Sequence, residues 1–193
     1  LILEGIVTTL GEAGVNIAPM GPRLDAPYTL GPGVRFELRP FQTSQTFANL
    51  CARPEGVLHV TDDVLLLARA AVGPVVPPPA MTEARHVGGR VLADACRAYE
   101  FRLVGGDTQQ PRAALTAEVV GVHRLRDFFG FNRAMHAVLE AAILATRTAL
   151  LPAGHVEAEY ARLAVLVAKT GGPREQEAFA FLQGFVASAK DVK

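Results

Sequence analysis

The spacing of apolar residues changes once along the chain, near residue 130, and that change limits the fold more than any other feature. Before it, apolar residues come in short runs broken by Gly and Pro; after it, they recur at helical spacing. Ile2 to Leu10 and Val15 to Met20 read as two strands joined by a four-residue loop, Gly11-Glu12-Ala13-Gly14. Val34 to Leu38 alternates as a half-buried strand does, Gly56 to Thr61 reads as another, and Tyr99 to Val104 with Ala114 to His123 forms a later pair flanking the polar stretch Gly105 to Arg112. Two short helices interrupt these strands: Thr43 to Cys51, entered through hydroxyl residues, and Asp62 to Val72, stopped by Gly73-Pro74. Pro74 to Ala80 reads as a stiff connector.

Beyond residue 130, Phe131, Met135, Val138, Leu139, Ala142, Ile143 and Leu150 share one helical face. A second helix carries Val156, Tyr160, Leu163 and Val167. A third, opened by Pro173, carries Ala178, Phe181, Leu182, Phe185, Val186 and Ala189. The expected architecture is mainly β with α: a barrel or sandwich over residues 1–128 and a helical segment over 129–193 that must pack on something.

Composition removes several classes of function. The 193 residues balance 19 basic against 19 acidic side chains, which argues against broad nucleic-acid binding and against a polybasic membrane surface. No run of about 20 apolar residues occurs; the most apolar stretch, Ala134 to Leu151, is broken by His136, Glu140 and Arg147. Cys51 and Cys96 are too few for a disulfide framework and lack C-x-x-C spacing, so a reducing, cytoplasmic setting is expected. The chain opens at Leu1, so a few preceding residues are expected, and its first segment does not read as a signal peptide.

Anion-binding groups concentrate in Arg39-Pro40-Phe41-Gln42-Thr43-Ser44-Gln45-Thr46-Phe47-Ala48-Asn49-Leu50. A strand ends near Leu38 and a helix begins near Thr43 or Ser44. A helix N-terminus exposes about four unpaired N–H groups and about half a positive charge. Thr43, Ser44 and Thr46 add hydroxyls, and Arg39 adds a guanidinium able to fork onto a phosphate. An ordinary capped helix with Ser44 as N-cap and Arg39 in solvent satisfies the same pattern. In the second stretch, Asn16-Ile17-Ala18-Pro19-Met20-Gly21-Pro22, Pro19 cannot donate to a sheet ladder. That strand is therefore an edge, and its small residues would let a flat ligand approach the backbone.

Together the runs ILEGIVTT, NIAPMGP, RPFQTSQTFANL and GVLHVTDDVLLLARAAVG, with GFNRAMHAVLEAAILATR and KTGGPREQEA further along, resemble the uncharacterised family called domain of unknown function 447. That family is similar to the FMN-binding split barrels of flavin reductases and pyridoxamine-phosphate oxidases. The resemblance implies a split β-barrel that binds FMN at the interface of a homodimer. It places Asn16, Ala18, Pro19, Met20 and Gly21 along the isoalloxazine ring and Arg39, Thr43, Ser44 and Thr46 at the phosphate. Asn49 is implied to tie the cradle to a neighbouring loop. Gln42 and Gln45 stand where the pattern often has basic residues, which would leave Arg39 as the only cation. The implied function is an FMN-dependent oxidoreductase of unknown substrate, linked by the family's occurrence to methanopterin one-carbon metabolism. A non-catalytic flavin carrier or sensor, or a dimeric scaffold, is the alternative, and a haem or deazaflavin binder is a third reading.

Other residues invite weaker readings. His59, Thr61, Asp62 and Asp63 cluster, but a metal site needs three or four converging ligands, so packing and capping are expected there. His59 is the one candidate for an approach to flavin or haem. Asn132 suits an N-cap, and Arg133 and His136 share a helical face as solvated residues or substrate contacts. Nucleophile-elbow, Walker A and dinucleotide-binding glycine patterns are absent, leaving hydrolase, P-loop and Rossmann readings without support.

Overall fold

The first hairpin starts the sheet. In the computed structural model, which describes residues 1–189, β1 (Gly5–Gly11) pairs antiparallel with β2 (Gly14–Met20). Gly11 still faces Gly14 across the ladder, so the turn holds only Glu12 and Ala13 and the expected four-residue loop is shorter by two. Both glycines are required. Gly14 has φ +100°, and a Cβ on Gly11 would collide with the Asn49 carboxamide.

β3 (Arg35–Leu38), α1 (Gln45–Ala52) and β4 (Glu55–Val60) come next, then α2 (Val64–Val72). β5 (Met81–Glu83) and β6 (Arg90–Leu92) form a small hairpin that the apolar pattern does not signal, because three-residue strands show no usable period. β7 (Arg97–Asp107) and β8 (Ala114–Arg124) are the long central pair. The six-stranded antiparallel sheet runs β2-β1-β4-β7-β8-β3. β2 is an edge, as Pro19 requires.

The chain divides into two units: Leu1–Thr61 with Val76–Phe128, and Asp62–Val75 with the chain from Phe129 onward. α2, which lies among the strands in sequence, therefore belongs with the C-terminal helices.

In the first unit, alternation sends Val7, Leu58, Tyr99, Phe101, Ala117 and Val119 to one face, where they pack with Phe36, Leu38 and Leu50 of α1. Phe36 meets Phe101 edge to face, with ring centroids 5.5 Å apart. The other face carries Val57 and Ala98 and is covered by Val87 and Val91 from the segment around β5 and β6. That second face also buries three polar side chains, Thr8, His59 and Glu100.

The second unit is built from α2, α3 (Arg133–Ala145), α4 (Ala153–Thr170) and α5 (Pro173–Ser188). Asn132 caps α3, accepting from the Ala134 and Met135 amides while its own amide donates to the Thr170 carbonyl at 3.0 Å. The buried stripe of α3 is mostly alanine: Ala134, Ala137, Val138, Ala141, Ala142 and Ala145. Phe131 and Leu150, expected on that stripe, lie beyond the helix ends and are exposed. On α5 the core face is Ala178, Phe179, Leu182 and Val186, so Phe179 replaces the expected Phe181, which is exposed. Phe179 lies against Tyr160, whose buried hydroxyl donates to the Ala141 carbonyl at 2.7 Å; burial raises that phenol to about 12. Arg174 pairs with the α2 cap Asp63 at 2.7 Å and Arg69 with Glu177 at 2.8 Å, so ion pairs join α2 to α5. Residues 190–193, the end of the expected helical segment, lie outside the described residues.

Candidate functional site: the turn into the first helix

β3 ends at Leu38, and residues 39–44 turn the chain into α1. Ser44 is the N-cap: its hydroxyl accepts from the Phe47 amide at 3.2 Å and donates to the Phe41 carbonyl at 2.7 Å. The plain capping role is thus realised for that side chain. The backbone beside it is open. The amides of Thr43, Gln45 and Thr46 have no hydrogen-bond acceptor among the described residues, as the first turn of a helix dictates. Thr43 is exposed.

Arg39 precedes this turn. Its Nε is buried and lacks a hydrogen-bond acceptor among the described residues; the carboxylate oxygen Glu37 Oε1 is 3.5 Å away. Glu37 also faces Arg23 at 3.7 Å, so two guanidiniums share one carboxylate. An orphaned N–H of this kind costs free energy unless something accepts it.

The two stretches singled out in the sequence meet here. Asn16 on β2 donates its amide to the buried hydroxyl of Thr46 at 3.0 Å. Asn49, also buried, donates to Thr9 on β1 at 3.0 Å and accepts from Gln45 at 2.7 Å. Asn49 therefore fastens α1 to strand β1 rather than to a loop. Ala18, Pro19 and Met20 continue along the half-buried edge strand, and Gly21 comes just after it.

Gln42 and Gln45 are structural in this turn. Gln42 donates to the carbonyls of Thr108 and Gln110, both at 2.7 Å, and its backbone amide donates to Pro111. These bonds hold the β7–β8 connection against the turn. Arg112 from that connection lies over the Phe41 ring, 4.4 Å from its centroid. Arg112 is therefore a second cation beside the turn, along with Arg39. No local pattern marks Arg112, because its neighbourhood is set by a β-bridge to Phe41 across 71 positions of chain (112 against 41).

His59 is far from this chemistry in bonding terms. The Leu92 amide donates to its Nε2 at 3.1 Å, so Nδ1 carries the proton and donates to the Ile6 carbonyl at 3.1 Å. Burial lowers its pKa from 6.5 to about 4; the bond to Ile6 opposes that shift and the charge of His123 adds to it. With both nitrogens engaged, His59 has no lone pair to offer haem or a metal. It also lies on the face opposite Thr9, since it pairs with Ile6 in the ladder. Glu100 is the other saturated group. Its carboxylate accepts from the Arg85, His86 and Val87 amides at 2.8, 2.6 and 3.0 Å and meets His123 Nε2 at 2.6 Å. Burial works to raise its pKa, but those bonds outweigh it and hold the carboxyl below its usual range.

Arg133 and His136 are exposed on α3, and His136 stacks on Phe131 at 6.1 Å. Among the described residues no group of three or more His, Cys, Asp or Glu side chains could hold a metal ion. No helix among them is long and apolar enough to cross a membrane.

Comparison with known proteins fits this arrangement. The model of the N-terminal domain of the protein of unknown function DUF447 matches residues 3–126, and that of the C-terminal part of DUF447 matches 132–184. The chain belongs to the DUF447 family. Among solved structures, this DUF447 chain is similar to an FMN-bound DUF447 protein from Methanosarcina mazei, at 23% identity over 95% of this chain and 94% of that one, with a TM-score of 0.79. It is also similar to an FMN-binding protein from Thermus thermophilus, at 18% identity over 63% and 70% of the two chains, TM-score 0.51. A flavoredoxin from Methanosarcina acetivorans aligns at 8% identity over 64% and 68%, TM-score 0.53. No curated protein matches the chain. These likenesses establish the fold as a split β-barrel of the flavin-reductase kind, mainly β with α, accompanied by C-terminal helices.

Proposed function

We propose that this DUF447 chain binds FMN and serves as an FMN-dependent oxidoreductase. In this reading Asn16, Ala18, Pro19, Met20 and Gly21 border the ring, and Arg39, Thr43, Ser44, Thr46 and Asn49 build the phosphate end. The observation that carries it is the buried, acceptor-less Nε of Arg39 beside a helix start with three open amides. Such a set consists of donors only and suits an anion.

The residues divide the work. Arg39 and the amides of Thr43, Gln45 and Thr46 bind the phosphate, with the Thr43 hydroxyl as a further donor. Ser44 holds the helix start in place. Thr46 and Asn49 act at one remove: their bonds to Asn16 and Thr9 fix the edge hairpin relative to α1. The outer side of β2 offers backbone groups to the ring edge, and Pro19 keeps that side from recruiting another strand. FMN, when bound, supplies the hydride and single-electron chemistry. The chain's own part is to bind, orient and exclude water.

A homodimer with FMN between subunits, with the helical segment 129–193 contributing to the interface, completes the reading, as does a cytoplasmic place in methanopterin-linked one-carbon metabolism. A non-catalytic flavin-holding module is the second reading. It is favoured by Ser44, Thr46 and Asn49 all being committed to structural bonds, which leaves no acid–base side chain among them.

Titration of FMN against the purified protein, monitored by flavin fluorescence, tests the proposal. Binding is expected, with Arg39→Ala weakening it about tenfold or more. Absence of binding overturns the proposal. A Thr43→Val/Ser44→Ala double variant with unchanged affinity would put the phosphate elsewhere. Bleaching of bound flavin by NADH or NADPH separates an enzyme from a carrier.

A further inference from the structure

We propose that Arg112 is a second phosphate-reading cation, carried by the β7–β8 connection and positioned by Gln42, and that it makes this chain select a flavin bearing a terminal phosphate monoester over one without it. The inference rests on the FMN reading above and adds a residue that lies outside the turn itself.

Four observations lead to it. Arg112 is exposed and makes no ion pair with a carboxylate among the described residues. Its guanidinium is nonetheless located, 4.4 Å over Phe41, whose carbonyl accepts the Ser44 hydroxyl and amide at the helix start. The cation therefore sits against the same turn that presents the open amides. The connection that carries it is tied down rather than loose. Gln42 bonds Thr108 and Gln110, the Gln42 amide bonds Pro111, and the Ala113 amide bonds Pro40. Lastly, Asp107, the exposed residue that ends β7 just before that connection, accepts the Gln109 amide at 2.8 Å rather than pairing with Arg112.

Charge matching points the same way. A phosphate monoester carries about −1.5 to −2 at neutral pH. Arg39 and Arg23 share Glu37, so that trio leaves a single positive charge. Arg112 supplies another, and the pair then matches a dianion. Without Arg112 the helix start and one net charge would face a ligand of nearly twice that charge.

This gives Gln42 a role as a positioning residue. A basic residue at 42 would carry charge itself; here the glutamine instead fixes the loop that brings the charge in.

The test compares FMN with riboflavin, which lacks the phosphate, by fluorescence titration of wild type, Arg112→Ala, Arg112→Lys, Gln42→Ala and Arg39→Ala. Arg112→Ala is expected to weaken FMN about tenfold, to leave riboflavin within about twofold, and to flatten the salt dependence of FMN binding. Arg112→Lys should restore part of the preference, since it returns the charge without the fork. Gln42→Ala should lose part of it while the thermal midpoint stays near wild type. If wild type prefers FMN and Arg112→Ala keeps that preference while Arg39→Ala loses it, Arg112 is not a phosphate reader and the FMN reading survives. If wild type binds neither flavin, both proposals fall.

Discussion

The second face of the sheet and the turn into α1 both gather polar groups, yet they differ in what those groups have left to do. On the face, every donor and acceptor that matters is spoken for. Thr8 donates to the Arg90 carbonyl, His59 bridges Ile6 and Leu92, and Glu100 gathers three amides and His123. All three pin the segment around β5 and β6 to the sheet. At the turn, by contrast, Arg39 Nε and three amides at the helix start have no acceptor among the described residues, and Arg112 pairs with no carboxylate among them. A saturated polar group is a structural fastener, because its bonding capacity is consumed by the fold. A buried unsaturated one, such as Arg39 Nε, stores a cost that a ligand can relieve, and an exposed one is free to exchange water for a ligand. By that criterion the histidine and glutamate that look most like chemistry are framework, and a plain turn is the proposed site.

Mutation should separate the two regions by what is lost. The largest effect is expected for Glu100→Ala, which strands three amides, that of Val87 buried, together with His123, and should cost about 3–5 kcal/mol in a denaturant melt; a loss under about 1 kcal/mol would mean the segment around β5 and β6 is held by its apolar contacts instead. His59 gives a pH signature of about 3 kcal/mol. Its folded pKa is lowered to about 4 from 6.5, so the unfolded chain takes up the proton first. The stability it contributes is complete above pH 6.5 and is lost as pH falls toward about 4. A His59→Leu variant should flatten that slope. Glu100 acts in the same direction at lower pH, its contribution draining as pH drops below the ordinary value of 4.5.

At the boundary between the regions, Asn49→Ala is expected to cost about 1–3 kcal/mol, since Thr9 and Gln45 both lose a buried partner. Ser44→Ala should cost about 1 kcal/mol for the lost cap. Arg39→Ala should change stability by less than about 0.5 kcal/mol, because its ion pair is long and partly exposed, while weakening FMN binding about tenfold or more. If Arg39→Ala destabilised the fold as much as Asn49→Ala, the distinction between fastener and site would fail.

Much of the fold was legible because it rests on local signals. The strands of the six-stranded sheet, the Ser44 and Asn132 caps and the edge position of β2 all arise from alternation, capping chemistry or a proline without an N–H, whereas the α2 cap is Asp63, one residue past the Asp62 that the sequence favours. The errors fall where several local answers were equally good. The hairpin turn could close at the inner or outer pair of residues between the strands, and pairing of Gly11 with Gly14 decided it. On α5 two overlapping apolar faces competed, and the contact of Phe179 with Tyr160 selected one. β5 and β6 were too short to declare themselves.

For the site, the chain by itself determined the ingredients: a helix start rich in hydroxyls, an arginine ahead of it, and an edge strand of small residues. Those are properties of neighbours in sequence, and backbone geometry expresses them wherever the chain folds. Only the tertiary structure decided which groups remain unbonded. It joined Asn16 to Thr46 and Asn49 to Thr9, consumed His59 and Glu100, and carried Arg112 onto Phe41. Whether a polar group is spent or available depends on partners that arrive from distant positions, and no local period records them.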